Sequence, residues 1–317
     1  MNPAFSVVFL TTAAGAGYGM LAWLGVLDAV GVLPRSGWFG GSAVATALVL
    51  AAAGLLASTL HLGHPERAWR ALSQWRTSWL SREGVVSLVT FVPAGGFGLA
   101  WALAGGAAPV TVVLGLLAAV CGLATVASQA MIYASLKPIR QWHHQAVLPN
   151  FLLLALYSGA ICVAALVVWV EPTAERTAGG VALLAGALAL AGKLGYWRAI
   201  DTAPAAATIE SATGLGFLGK VRSLELPHTE ENYLLREMGF VIGRRHAHRL
   251  RQIAIWLGFA GPMVLLVVGV VADALGGGGE VLLPLAALGA LVGIYLERWL
   301  FFAEATHTVT LYYGRAA

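Results

Sequence analysis

Charged residues are scarce in this sequence, and their scarcity excludes an ordinary water-soluble fold. Only 11% of the 317 residues are charged and 59% are hydrophobic, whereas a soluble domain has about 25% charged and about 45–50% apolar residues. Cysteine is nearly absent as well, since the chain has only Cys121 and Cys162, both within apolar runs. Two such cysteines are too few for a disulfide framework, a zinc site or a protein-ligated iron–sulfur cluster.

Long apolar runs make up most of the chain. About 20 apolar residues cross the hydrocarbon core of a bilayer, and eight stretches reach that length. The first has no preceding Lys or Arg and exceeds the core of a signal peptide, about 7–15 residues, so we interpret it as a retained span. We therefore predict an all-α fold, a single membrane domain over residues 1–317 with eight transmembrane helices. The predicted spans are 5–30, 39–62, 84–104, 108–133, 149–170, 177–199, 250–274 and 281–310.

Positive charge is concentrated on one side of this predicted topology. Of the 19 Lys and Arg residues, four lie in 63–83, two in 134–148, nine in 193–251 and one at the C-terminus. Basic connections remain on the cytoplasmic side of a membrane. We therefore predict that both termini and these three connections are cytoplasmic.

The connection 200–249 is the longest stretch outside the predicted spans. Within it, Glu230 to Arg251 mixes apolar and charged residues at helical spacing, which predicts an amphipathic surface helix. Such a helix either docks a soluble partner or lies on anionic lipid as a linker.

Polar residues at the ends of spans two and three form the first candidate site. Ionisable groups at membrane depth are costly, and those that occur are candidates for function. His61 closes the second span and Glu83 opens the third. An imidazole and a carboxylate there can hydrogen-bond a quinone headgroup and exchange its protons. The alternative is structural: His61 ends one helix, and Glu83 interacts with the positive N-terminal dipole of the next.

The last predicted span carries the second cluster. Glu297, Glu304 and His307 lie on one face of a helix by their spacing, and the last two descend to the level of His61. They belong to a proton path toward that site, or the cluster is structural and Arg298 neutralises a neighbouring glutamate. Because only His61 and His307 lie near a span, and at the same face, two haems are excluded and one is conceivable.

Two runs of residues carry a resemblance to a known family. These runs, His61-Leu-Gly-His-Pro-Glu-Arg-Ala-Trp-Arg-Ala-Leu72 and Ser78-Trp-Leu-Ser-Arg-Glu83, closely resemble the signature of the membrane-anchor subunit of dimethyl sulfoxide reductase, the DmsC family. Eight spans and a last helix reading Glu297-Arg-Trp-Leu-Phe-Phe302 fit the same family. The resemblance covers essentially the whole chain.

This resemblance implies a function and a set of partners. Members are haem-free anchors in the bacterial cytoplasmic membrane that exchange electrons between quinone (ubiquinone or menaquinone) and a four-cluster iron–sulfur subunit. That subunit serves a molybdopterin catalytic subunit, and no nucleic acid is involved. The family's quinone-site histidine and glutamate match His61 and Glu83, which favours the functional alternative for that pair. The predicted quinone-binding set is His61, His64, Arg82, Glu83, Tyr133 and Arg298, with Glu304 and His307 as a proton path.

Residues of the basic connections are predicted to dock the iron–sulfur subunit. They are Arg67, Arg70, Arg76, Arg140 and Trp142. Tyr133, Arg140 and Trp142 are expected to line the cleft between cluster and quinone, or else to anchor the chain at the membrane interface, as aromatic and basic residues do at span ends.

One segment resembles a particular branch of anchors. The run Tyr133-Ala-Ser-Leu-Lys-Pro-Ile-Arg-Gln-Trp-His143 and the long connection 200–249 are similar to SoeC, the anchor of the cytoplasmic sulfite-oxidising enzyme. That similarity implies electron flow from sulfite into the quinone pool.

Two functions of other classes remain open from the sequence. One is a proton- or ion-coupled transporter that uses Asp28, Lys193, Glu297 and Glu304. The other is a structural tether with no redox function.

Overall fold

A computed structural model describes residues 2–60, 62–204, 207–222, 224–225, 230, 237–238, 240 and 242–313. Eight helices of this described part are long and apolar enough to cross a membrane. The predicted number of spans and the helical class are therefore confirmed. In chain order the eight are α1 (Phe5–Ala29), α2 (Gly37–Thr59), α3 (Trp79–Ala104), α4 (Pro109–Ala134), α5 (Val147–Val167), α6 (Pro172–Thr202), α7 (Ala247–Ala274) and α8 (Gly279–Ala303).

Helix α1 forms the centre of the bundle. Most of its residues are buried, and it packs against α2, α4, α5 and α8. At its crossing with α5 a Cβ atom on Gly159 would lie 2.1 Å from the carbonyl carbon of Gly19. The two backbones are therefore in contact, as happens in membranes where small residues meet.

Helix α7 contains a π-helical turn, Trp256–Ala260, before Pro262. Proline lacks the N–H group that would bond to the carbonyl of Gly258 in a regular α-helix. The buried hydroxyl of Tyr157 on α5 donates to that carbonyl at 2.9 Å. A side chain of the neighbouring helix thus satisfies a backbone acceptor that the proline deprives of its usual donor.

The basic connections lie at one end of the bundle, which we call the basic end. There Arg251 at the start of α7 pairs with Asp201 at the end of α6 at 2.6 Å. At the opposite end Asp28 of α1 accepts a hydrogen bond from the Ala107 N–H at 2.7 Å. Lys193, which the sequence places with the basic connections, is buried inside the bundle on α6 with 1% exposure, so it does not contribute to the charge of that end.

The prediction for the end of the last span is wrong. Helix α8 ends at Ala303, and a 3₁₀ helix follows at Thr308–Tyr313. The Thr308 N–H donates to the Pro138 carbonyl at 3.1 Å, and His307 forms a single β-bridge with Ile139. The chain therefore leaves the helix to pair with the α4–α5 connection.

Residues 231–236, 239 and 241 of the amphipathic helix predicted at 230–251 lie outside the described residues. Its described final part consists of a short helix, Ile242–Arg245, and the first turn of α7, which begins at Ala247 rather than at residue 250.

Candidate functional site

A cavity of about 420 Å³ opens at the basic end between α1, α2, α3 and α4. We call it the Glu83 cavity. Its walls are mostly apolar, with a few polar groups, as is usual for small-molecule sites. The lining residues are Val7, Leu10, Leu55, Ser58, Thr59, Leu62, Gly63, His64, Arg67, Ala68, Ala71, Leu72, Leu80, Glu83, Gly84, Ile132 and Tyr133. His61 itself lies outside the described residues, although its neighbours Leu62 and Gly63 are part of this wall.

Glu83 is the buried acidic group of the cavity. Helix α3 begins at Trp79, five residues before the predicted start, and the Ser78 hydroxyl accepts a hydrogen bond from the Ser81 N–H at 3.4 Å. This cap places Glu83 inside the helix, where it is 4% exposed. One carboxylate oxygen accepts a hydrogen bond from the Gln129 Nε2 of α4 at 2.7 Å.

A 3₁₀ helix, Pro65–Gln74, which we call the cover helix, closes one side of the cavity. Ala68, Ala71 and Leu72 of this helix line the cavity, and the Ser81 hydroxyl of α3 donates to the Ala71 carbonyl. The Trp69 side chain, by contrast, is 67% exposed. The cover helix therefore has one face toward the cavity and one outside.

Two residues of the predicted quinone-binding set are not among the described residues of the cavity wall. The Arg82 guanidinium donates to the carbonyls of Trp75 and Arg76, at 3.0 and 2.7 Å, and lies over the Trp79 ring. Arg82 therefore fastens the connection after the cover helix. Arg298 is 2% exposed and belongs to an ion-pair cluster deeper in the bundle.

His64 and Tyr133, two other residues of the predicted quinone-binding set, line the cavity. His64 is exposed at the mouth, where its Nδ1 lies 3.0 Å from the Glu66 carboxylate. Tyr133 is buried and stacks on Phe151, with ring centroids 5.8 Å apart. The cavity thus has an aromatic inner wall and an imidazole at its opening.

Trp142 is not available for docking. It is 6% exposed, and its indole N–H donates to the Phe301 carbonyl at 3.0 Å. Its ring packs against Tyr133, Phe301 and Phe302. A partner cannot reach a side chain that the chain's own aromatic residues cover.

The other predicted docking residues divide into two groups. Arg140 donates to the carbonyls of Ile200, Ala203 and Pro204, at 2.9 Å for the first. It therefore satisfies acceptors at the C-terminal end of α6. The second group is exposed and lies in the 60–78 connection: Arg67, Arg70 and Arg76. Of these, Arg70 and Arg76 lie beside exposed tryptophan rings.

Three charges are buried together inside the bundle. The Glu297 carboxylate pairs with Lys193 through one oxygen and with the Arg298 Nε through the other, at 2.6 Å in the second pair. The three side chains are 2% exposed or less. The Arg298 guanidinium also lies 4.2 Å from the Phe151 ring centroid. We call these residues the buried triad.

Glu304 lies in a different cleft, of about 300 Å³, between α6, α7 and α8. Both of its carboxylate oxygens accept hydrogen bonds from Arg251, at 2.9 and 2.8 Å. His307 accepts a hydrogen bond from the Val309 N–H at Nδ1, 3.0 Å away. The structure therefore does not place these two residues on one helix face leading to Glu83.

We predict that His307 makes the attachment of the C-terminal segment, residues 304–313, sensitive to pH. Burial lowers the pKa of this imidazole from its usual value of 6.5. A detached segment binds a proton more readily than the attached one, so attachment is stable above pH 6.5 and weakens as the pH falls through the lowered value. We expect faster proteolysis of residues 304–313 at about pH 5 than at about pH 7.5, and a loss of that difference in His307→Gln. An equal pH response in both proteins would assign it to other groups.

Gln129 is a site residue that the motifs do not include. A single amide inside the apolar run of α4 is itself a signal, because polar groups at membrane depth are usually paired or functional. The apolar residues of the cover helix carry no such signal. Their role follows only from the folded position of the connection.

Two comparisons relate the chain to known proteins. Residues 2–303 match the family described as "DMSO reductase anchor subunit (DmsC)". The chain is also 36% identical to a sulfite dehydrogenase subunit from Allochromatium vinosum, in an alignment that covers all of both chains.

Proposed function

The chain belongs to the DmsC family of anchor subunits, and from this premise we propose that it is the quinone-reactive membrane anchor of a molybdopterin oxidoreductase. In this role it exchanges electrons between membrane quinone and an iron–sulfur subunit. Substrate chemistry takes place on a separate catalytic subunit.

The Glu83 cavity is the observation that carries this proposal. Its volume of about 420 Å³ lies within the range of small-molecule sites, about 300–1,000 Å³. Apolar side chains suit a quinone ring and the start of its tail. Glu83, Tyr133 and His64 are polar groups that can hydrogen-bond the two carbonyls, and His61 is the expected fourth.

The basic end supports the proposed docking of the iron–sulfur subunit. Arg67, Arg70 and Arg76 are exposed beside the cavity, and Arg67 itself lines it. An acidic surface that binds these arginines would bring a cluster close to the quinone. Charge complementarity of this kind orients partners and speeds their association.

The similarity to the protein from Allochromatium vinosum supports electron flow toward quinone. That protein is a subunit of a sulfite dehydrogenase. We infer that this chain delivers electrons from sulfite oxidation into the quinone pool. The basic end is proposed to face the cytoplasm of a bacterial inner membrane, with both termini on that side.

Copurification tests the proposal. Affinity purification of the full chain from membranes should retain two further subunits and the visible absorbance of iron–sulfur clusters, because the basic end docks a cluster-bearing partner. A short-chain quinone should then be reduced when sulfite is supplied. A chain that purifies alone and transports ions would favour the transporter. A complex that binds no quinone would favour a tether.

A further inference from the structure

The bond between Gln129 and Glu83 joins α4 to α3 at the inner wall of the Glu83 cavity. The amide nitrogen donates to the carboxylate at 2.7 Å, and the two side chains are 2% and 4% exposed. Gln129 lies one helical turn from Tyr133, which lines the same cavity. A buried bond to a charged acceptor is among the stronger hydrogen bonds in proteins.

Gln129 also lines a second cavity, which it shares with one residue of the buried triad. A small cavity of about 10 Å³ is lined by Gln129 and by Arg298 of the buried triad, with Thr11 and Ser158 among its other walls. A carboxamide can donate through its nitrogen and accept through its oxygen at once. Gln129 thus bonds to the Glu83 carboxylate on one side and shares a small cavity with Arg298 of the buried triad.

We propose that Gln129 is a positioning residue for quinone: it fixes the Glu83 carboxylate at the cavity wall through one oxygen and leaves the other for the quinone headgroup. This inference rests on the proposed function. Without the amide, the carboxylate can rotate among several rotamers, and a ligand must order it on binding. Gln129 therefore acts through Glu83.

A second polar contact between the same helices provides a matched control. The hydroxyls of Thr90 on α3 and Thr125 on α4 lie 3.1 Å apart, and both side chains are buried. Neither threonine is among the described residues that line the Glu83 cavity. Thr125→Val therefore removes an α3–α4 contact while leaving the carboxylate and its donor in place.

The test is quinone-dependent turnover of the complete complex in membranes, with a short-chain ubiquinone and a short-chain menaquinone as probes. Gln129→Met keeps the volume and removes the donor. We expect it to raise the KM for quinone about 10-fold or more and to alter the pH profile of turnover, while Thr125→Val stays within about two-fold of the native protein. An unchanged KM and pH profile in Gln129→Met would overturn the inference.

A double-mutant cycle shows whether Gln129 acts through Glu83. In a Glu83→Gln background, Gln129→Met should cause little further change in KM, because the group that it positions is already altered. Additive effects would contradict the inference. If Glu83→Gln alone leaves turnover and its pH profile native, Gln129 has no active carboxylate to position and the inference fails. The proposed function fails only if His61→Leu also keeps native quinone kinetics, which is a separate outcome.

An exchange variant covers the case in which Gln129→Met does not assemble. Combining Glu83→Gln with Gln129→Glu keeps a carboxamide–carboxylate bond between the helices but moves the carboxylate to α4. We expect a native thermal midpoint with low quinone turnover. Native turnover in this variant would overturn the inference, because the position of the carboxylate would then be immaterial.

Discussion

Glu297→Gln is expected to abolish accumulation of the folded chain in membranes. The native carboxylate is the counter-ion of both Lys193 and Arg298, and all three groups are buried. Neutralising it leaves two cations without a partner. Removal of one partner from a buried ion pair typically costs about 3–5 kcal/mol, which is a large part of the stability of a typical protein, about 5–15 kcal/mol.

For Lys193→Met we expect the opposite result, normal accumulation of the folded chain. This change leaves Glu297 paired with Arg298 at 2.6 Å, and an apolar side chain takes the place of a cation. The remaining charges, one cation and one anion, then balance, so no buried ion is left without a counter-ion, which is the cause of the cost when one partner of a buried pair is removed. We therefore expect Lys193→Met to accumulate well and Glu297→Gln to accumulate poorly, although each removes one charge.

Glu280→Gln is the matched control, since it makes the same substitution on the same helix at an exposed position. Yield of monodisperse chain after detergent extraction and the thermal midpoint are the measurements. A native yield and thermal midpoint in Glu297→Gln would contradict the prediction that this carboxylate is needed as the counter-ion of the two cations.

The sequence predicts the spans because their physical cause is local. An apolar run of about 20 residues must cross the bilayer wherever it lies in the chain, and all eight runs are helices. The predictions are wrong where residues distant in sequence determine the structure. After α8 the Thr308 N–H bonds to the Pro138 carbonyl instead of continuing the helix. No sequence pattern near residue 303 predicts that contact.

The placement of the candidate site residues divides in the same way. Glu83, His64 and Tyr133 line one cavity, and their role in quinone binding stays a prediction. Arg82 and Trp142 carry the chemistry of a site but are engaged by carbonyls of Trp75 and Phe301. Residue type indicates which groups a side chain can bond to. Only the fold determines which of those groups it bonds to.

The cover helix connects the two parts of the proposed function. Its apolar residues line the Glu83 cavity, while Trp69 and Arg70 lie on its exposed side. A protein bound to the exposed side would therefore contact the element that encloses the quinone. In the proposed function, docking and quinone binding share this helix, which the Ser81 hydroxyl holds to α3.

His61→Leu is expected to leave the complex assembled and to remove quinone-dependent turnover. His61 lies outside the described residues, and its role is proposed from the motif and from the position of Leu62 and Gly63 in the cavity wall. A positioned acid or base contributes about 10²–10⁴-fold to a rate, so a loss of at least about 100-fold is expected. Sulfite oxidation with a soluble dye as electron acceptor should persist, because that reaction bypasses the quinone.

His246→Leu makes the same substitution in an exposed residue at the basic end and should retain quinone turnover. Glu83→Gln keeps the size of the side chain and removes its charge, so turnover should fall and lose the pH dependence that the carboxyl group contributes. If both His61→Leu and Glu83→Gln keep native quinone kinetics, the cavity is not the quinone site. If only Glu83→Gln does so, the histidine carries proton exchange, and the glutamate interacts only with the dipole of α3.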